Sequence, residues 1–357
     1  MIISCPLMLV KRNRTAKGRS PQMPMKSDWE PPYPAFSAAF DDQVDQVVMA
    51  YYGLIRDTSA PAITKDFMIH LGLRGNDAPT VVNRAVNSNG HASVEDVFVL
   101  YWTDPASYRR WESERSHWWL SDDRLHEGVG YWREVFAPPM DHLETLISSH
   151  EPIGLAEAMT EVRGPIREHA YWGAVRDRIP ASALNPLESS LATLPEPRPP
   201  IHSKGQRLRI TPHENLCIIR SGQNWSDCGP EERRIYASDL APVLREGMEF
   251  LRTHPLESGC LSCRLMDQLQ TDGSKTDKTF ATALFLSLRH LEEWAEHHPT
   301  HLAIFKTFHD FVRKRNFAPE LKLWHEVAVL PANSVTCEYI NCPPMTGLLP
   351  YYQAEIW

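Results

Sequence analysis

The chain repeats itself, and that repeat restricts the fold more than any single motif does. The apolar run Phe98–Trp102 leads to Arg109-Arg110-Trp111 and later to Trp132-Arg133-Glu134-Val135. The run Ala283–Leu288 leads to Glu292-Glu293-Trp294 and later to Trp324-His325-Glu326-Val327. A duplication with about half the chain per copy calls for two βαβ-type sheets able to face one another. It sets Arg133 against His325, and His117 near the position of His301. The 357 residues are enough to bury a sizeable core in two such units.

Hydrophobic periodicity fills in the units. Strands are expected over Gln46–Ile55, Val94–Thr103 and Val129–Phe136, with helices over Ala62–Leu73 and from Asp104-Pro105 onward. The order strand, helix, strand, helix, strand reads as an α+β sandwich with helices on one face. In the second copy, strands are expected over Asn215–Arg220, Cys260–Leu269, Thr279–Leu288 and Leu321–Leu330. A long amphipathic helix is expected from Pro230 to Thr253, and further helices over Leu291–Arg315. Six prolines between Pro180 and Pro200 mark a surface excursion. Trp29–Phe36, with three prolines and three aromatics, reads as an extended arm. The expected divisions are a flexible leader over 1–30, a first half over 31–150, an irregular Pro-rich connection over 151–210 and a second half over 211–357.

Composition removes several classes of function. A formal net charge of −8 argues against general nucleic-acid binding, which needs a basic face. The N-terminal run MIISCPLMLV is too short to span a bilayer, and basic residues follow it rather than precede it, so it makes a poor signal peptide. Seven cysteines scattered over a long chain suit a reducing cytoplasm better than a disulfide scaffold. Cys260 and Cys263 form a lone CxxC; with Arg264 rather than His after it, the c-type haem pattern fails, and two structural cysteines on one strand are the simpler reading.

Chemistry is concentrated in His290–Val327. Pro299 suits the first position of a helix, where its missing N–H is no loss. A helix from there lines up His301, Phe305, Phe308 and Val312, an apolar face beginning with an imidazole, against which a flat hydrophobic cofactor could rest while His301 ligates its metal. His297 and His301 are four apart, but Pro299 between them works against a continuous zinc-binding helix. His325 falls in an apolar strand, on the face opposite Trp324 and Glu326. Taken singly, such residues are more often a cap or a solvated side chain than a ligand.

Five segments in order make the pattern specific: DRLHEGVGYWRE (Asp123–Glu134), HAYWGAVRDRIP (His169–Pro180), IRSGQNW (Ile219–Trp225), WAEHHPTHL (Trp294–Leu302) and EYINCPPMTGLL (Glu338–Leu349). With them the chain, from about Pro31 to Leu349, resembles the aldoxime dehydratases, haem-containing lyases that turn an aldoxime into a nitrile and water. The aliphatic aldoxime group is the nearer likeness. The segment between His301 and His325 is about three residues longer than in that family, within KRNFAPE.

The resemblance implies an α+β fold of two ferredoxin-like halves forming a dimeric α/β-barrel-like sandwich, with haem b in the second half, and a cytoplasmic homodimer acting on a small aldoxime. It makes His301 the axial ligand of a ferrous haem iron. It makes His325, Arg178, Ser221 and Glu144 the catalytic set: His325 the acid–base group, Ser221 the partner of the substrate hydroxyl, and Arg178 with Glu144 the pair that holds the imidazole. The rival readings are a peroxide- or chlorite-handling haem enzyme and a non-catalytic haem sensor.

Overall fold

The structure is a computed structural model and describes residues 25–59, 62–87, 93–159, 161–198 and 203–357. The leader expected over residues 1–30 lies, up to residue 24, outside the described residues.

Elements of the first half run β1 (Ser37–Ala39), β2 (Val48–Asp57), α1 (Ala62–Leu71), β3 (Val81–Asn87), β4 (Ser93–Trp102), α2 (Pro105–Leu120), α3 (Asp123–His126) and β5 (Gly130–Phe136). The connection holds β6 (Leu143–Ile147), β7 (Glu161–Arg163), α4 (Ala174–Arg178) and β8 (Arg207–Ile210). The second half runs β9 (Leu216–Asn224), α5 (Pro230–Ile235), α6 (Ala241–Thr253), α7 (Pro255–Ser258), β10 (Cys260–Leu269), β11 (Lys275–Phe285), α8 (Leu288–His297), α9 (Pro299–Lys314) and β12 (Lys322–Leu330). β13 (Val335–Ile340) and β14 (Ala354–Ile356) close the chain.

Local chemistry explains where the helices begin. Asp104 caps α2, accepting from the N–H of Ala106 at 2.8 Å and of Ser107 at 3.1 Å, with Pro105 in the first turn. Ser287 caps α8, and His298 caps α9 ahead of Pro299. The long helix expected from Pro230 is interrupted by a π turn over Tyr236–Leu240, where the Ala241 N–H reaches back to the Tyr236 carbonyl. Pro242 accounts for this, since its ring blocks the regular ladder at that point.

Twelve strands form one sheet in the order β14-β8-β13-β5-β2-β4-β3-β10-β11-β9-β12-β6, and the pairings are antiparallel. Within this sheet β2–β5 and β9–β12 take the same spatial order, fourth-first-third-second, and β3 pairs with β10 to join them, while β1 pairs with β7 in a separate two-stranded sheet. The outer neighbours are exchanged: β6, which follows the first half, flanks β12, and β13, which follows the second, flanks β5.

The sheet curls, and its inner face forms one shared core, with Tyr51, Val99 and Trp132 of the first half meeting Ile218, Phe280 and Trp324 of the second. The outer faces are covered separately. α1 and α2 lie over Val48, Phe98 and Tyr131, while α6 and α8 lie over Cys217, Phe285 and Val329. Two glycines record the repeat. Gly53 faces the Trp132 ring and Gly222 the Trp324 ring, each so closely that a Cβ would collide with the indole.

The sequence reading passed over β3, β6, β8 and β13. Glu144 is on β6, where Leu143, Glu144 and Thr145 are all buried, so the pairing of both faces replaces the amphipathic alternation that marks a strand. Cys260 and Cys263 are buried on β10, and burial raises the Cys260 thiol well above its ordinary range. They are structural, as expected. No described helix is long and apolar enough to cross a membrane.

Candidate active site

The outer face of the second half carries the site. His325 on β12 lies directly opposite Ser221 on β9, so both side chains leave the sheet on the same side, with Cβ atoms about 5 Å apart for such a pair. On the other flank of β12, His325 is opposite Leu146 and Val327 opposite Glu144. Glu144 is therefore one step along the same face, and its side chain is fully buried.

Arg178 enters from α4 at the end of the connection. Its Nε donates to Glu144 Oε2 at 2.6 Å and its Nη1 to the Glu168 carbonyl at 2.6 Å. Its Nη2 lies 3.0 Å from His325 Nε2. Glu144 Oε1 also lies 3.0 Å from that nitrogen, off the line of a ring N–H. Burial pushes the Glu144 carboxyl upward, but the Arg178 guanidinium and His325 outweigh it and hold the group down to about 2. A carboxylate and a guanidinium thus converge on one nitrogen of the imidazole. Among the described residues, the other nitrogen, Nδ1, and Ser221 Oγ meet no hydrogen-bonding partner, which leaves both for a ligand.

His301 sits in the first turn of α9. Its Nδ1 lies 2.6 Å from the Ala295 carbonyl, which can only accept, so Nδ1 carries the proton and Nε2 a free lone pair. Burial lowers its pKa despite that hydrogen bond, keeping the ring neutral at pH 7. Trp294 packs 4.7 Å from the ring and Trp172 6.3 Å away. The segment 171–178 touches both histidines, with Trp172 against His301 and Arg178 against His325.

α9 packs on α6 and α8, and an apolar cleft lies between it and the sheet. Ile304, Thr307 and Phe308 of α9 form one wall, and Gln223 and Leu323, two residues along from Ser221 and His325 on the same face, form the other. A neutral imidazole with a fixed tautomer and a free Nε2 lone pair has the donor chemistry that the iron of a flat macrocycle takes. No cluster of three or more His, Cys, Asp or Glu side chains among the described residues offers a cage for a bare metal ion. The expected face of α9 is divided: Phe311 and Val312 are buried beneath the helix, and Phe305 stays partly exposed beside Trp172.

All four members of the expected catalytic set share this face, with His301 on the helix beyond the cleft. His117 is no counterpart of His301, because it points to solvent from the last turn of α2. The sequence reading did not single out His169. It is 1% exposed, both ring nitrogens lack partners among the described residues, and burial and the Arg178 charge hold its pKa down to about 4. Its signal was its place in HAYWGAVRDRIP, nine residues before Arg178.

The haem-containing dehydratase family matches residues 50–348. The phenylacetaldoxime dehydratase of Bacillus sp. (strain OxB-1) is 36% identical over 334 residues, covering 92% of this chain and 94% of that protein. The aliphatic aldoxime dehydratase of Pseudomonas chlororaphis is 37% identical over 355 residues, covering 95% and 96%. Overall identity therefore does not rank the aliphatic enzyme above the aryl one. A solved aldoxime dehydratase in complex with butyraldoxime superposes with a TM-score of 0.85 at 34% identity, covering 94% of each chain. A second solved aldoxime dehydratase gives 0.84 at 36% identity, covering 94% of this chain and 95% of that one.

Proposed function

This chain belongs to the haem-containing dehydratase family, and we propose that it converts an aldoxime, R–CH=N–OH, into a nitrile and water on the face bearing His325 and Ser221. The observation that carries the reading is the convergence of Arg178 and Glu144 on His325 Nε2, with Nδ1 left free beside Ser221. We read the two halves as ferredoxin-like, from their shared strand order, and the assembly as a homodimer. The reduced state of the six described cysteines suits the cytoplasm.

His301 Nε2 is the group that would hold the haem iron. When bound, haem supplies a Lewis acid and electron donor for the oxime nitrogen. The protein's own residues manage the protons. Hydroxide is a poor leaving group, so the departing oxygen must be protonated as N–O breaks, and the carbon must give up its hydrogen. In the charged ring both nitrogens carry a proton, Nε2–H beside the Glu144 carboxylate at 3.0 Å and Nδ1–H facing the substrate oxygen. Nδ1 gives its proton to the departing oxygen, which leaves as water and leaves the ring neutral; Nδ1 then takes the hydrogen from carbon as a proton and the charged ring is restored. Glu144, with Arg178 holding it in place, stabilises that charged form before the first transfer and after the second. Ser221 Oγ fixes the hydroxyl's orientation, an interaction of about 1 kcal/mol when buried.

The test is anaerobic. Dithionite-reduced protein is mixed with butyraldoxime and with phenylacetaldoxime while the Soret band is followed and nitrile is measured by chromatography. A Soret shift on mixing, followed by nitrile, is expected. A haem spectrum that ignores both oximes, with no nitrile, would return the chain to the peroxidase-like or sensor readings.

A further inference from the structure

Both imidazoles of the site are steered from α8. His301 Nδ1 donates to the carbonyl of Ala295, in the last turn of that helix, at 2.6 Å. Three residues earlier, on the same side of the helix, Glu292 receives both arms of Arg176: Nε donates to Oε1 at 3.2 Å and Nη2 to Oε2 at 2.7 Å. Arg176 belongs to α4, two residues before Arg178, whose guanidinium meets Glu144 and His325.

α4 cannot hold Arg178 in place unaided. It has five residues, too few for a helix to persist on its backbone bonds alone, and it starts from Gly173 with no side chain capping its first turn. Two of its hydrogen bonds stay local, Ser182 Oγ donating to the Arg176 carbonyl at 2.6 Å and the Tyr171 hydroxyl to Asp177 at 2.7 Å. Ile179, just beyond it, is buried in one apolar cluster with Leu288, Leu291 and Trp294 of α8. That contact sets depth but not direction, because apolar burial is non-directional. Direction comes from the fork of Arg176 on Glu292, with Nη1 of the same guanidinium on the Pro186 carbonyl at 2.6 Å. The repeat sets Arg109 where Glu292 stands, and among the described residues Arg109 makes no ion pair.

We propose that Arg176 and Glu292 are a positioning pair for the dehydration. Through α4 they set Arg178 against Glu144 and His325 Nε2, and through α8 they keep the Ala295 carbonyl in register with that arrangement, so that the two imidazoles are held to one frame. The inference rests on the dehydratase reading for the reaction it serves. The two side chains are 26% and 23% exposed, and an ion pair so open to water adds little to stability. A displacement of about 1 Å at a reacting group, by contrast, can cost about 10²-fold in rate. Loss of the pair is therefore felt in rate before it is felt in stability.

The experiment compares ferrous holoenzyme with Glu292→Ala, Arg176→Met, the double variant and, as a control on the same helix, Glu293→Ala, whose partner Arg289 lies 3.5 Å away at the surface. Turnover per haem and the urea midpoint are measured. Two vibrations read the two sides of the site: the C–O stretch of the carbon monoxide adduct senses the charge that Arg178 and His325 present, and the iron–imidazole stretch senses the hydrogen bond on His301 Nδ1. Glu292→Ala is expected to lower kcat per haem about tenfold with KM changed by less than about threefold, to move both stretches, and to leave the urea midpoint near that of the wild type. Glu293→Ala is expected to alter none of these. The double variant is expected to lose no more than the worse single variant, because the two residues act as one unit. Lower stability with kcat per haem unchanged would mark an ordinary salt bridge and overturn the proposal, as would additive losses in the double variant or either stretch left unmoved. A wild type that makes no nitrile, with both stretches moved in the variants, would sink the dehydratase reading and leave the positioning role standing. Nitrile from the wild type with unmoved stretches in the variants would do the reverse.

Discussion

Positions proposed to carry chemistry in the second half are occupied in the first by side chains that fill space. Ser221 opposite His325 corresponds to Tyr52 opposite Arg133, each pair next to the Gly–Trp contact that marks the repeat. His325 and Ser221 are only half-buried, whereas Arg133 and Tyr52 are buried. Over Arg133 lie Trp111 and Trp119 of α2, the guanidinium 5.1 Å from the Trp119 ring. Arg133 is clamped by Glu338 at 2.7 Å and Glu112 at 2.8 Å, whereas His325 shares Arg178 and Glu144 through one nitrogen and keeps the other free. The helices differ as well. α2 is one uninterrupted helix on its sheet, but in the second half His298-Pro299 breaks the chain into α8, which covers the sheet, and α9, which stands off it with His301. One scaffold thus gives a packed face or an open one, according to the size of two opposed side chains and the continuity of one helix.

The contrast is broken most severely at His301. His301→Ala is expected to abolish haem binding in a chain that still folds, read as loss of the Soret band with unchanged far-ultraviolet circular dichroism. His117→Ala, at the position the repeat suggested, is expected to retain full haem. Equal haem content in the two variants would remove His301 as the ligand.

His325→Ala is expected to keep haem and to lower kcat by about 10²–10⁴, the range for a positioned acid–base group. Undiminished turnover would refute the role. Arg133→Ala is expected to do the opposite: it leaves Glu338, which is fully buried, without a main partner and destabilises the fold by about 3–5 kcal/mol, while turnover per folded, haem-loaded molecule is unchanged. Denaturant midpoints and haem-normalised activity distinguish the two. A fall in activity alone at Arg133 would mean that the first face is not merely structural.

How much of this was legible follows from what periodicity can encode. The repeat, the placement of His325 on the face opposite Trp324 and the break at Pro299 are local patterns, and the structure has all three. β6 was hidden because it is buried on both faces, so that Glu144 sits among Leu143, Thr145 and Ile147 with no alternation to announce a strand. The exchange of β6 and β13 between halves is a long-range pairing that no window of sequence contains. Assigning Arg178 and Glu144 to the imidazole needed the family resemblance, because their contact joins residues 34 apart and then reaches His325, 147 from Arg178. The π turn was in principle readable from Pro242, which cannot continue a regular helix.

The last difference between the faces is titration. Arg133 stays charged at any accessible pH, whereas imidazoles held toward the neutral form are buried around the second face, His301 on α9 and His169 in the connection. His169 is the sharpest case, held down to about 4 by burial and by Arg178 against an ordinary value of 6.5. Between those values the unfolded chain takes up a proton that the folded chain refuses, so stability contributed by the neutral ring is complete above pH 6.5 and declines as pH falls toward 4. Glu144 works lower on the scale: its stabilisation is complete above 4.5 and is lost as pH falls toward 2. Because neither nitrogen of His169 has a partner among the described residues, His169→Phe removes no internal hydrogen bond and is expected to be near-neutral at pH 7. It should, however, flatten the loss of stability between pH 6.5 and 4.5. Urea midpoints of both proteins at the two pH values measure it. An unchanged slope in the variant would show that the acid sensitivity of this half resides elsewhere, and a large loss at pH 7 would show that the imidazole has a hydrogen-bonding partner after all.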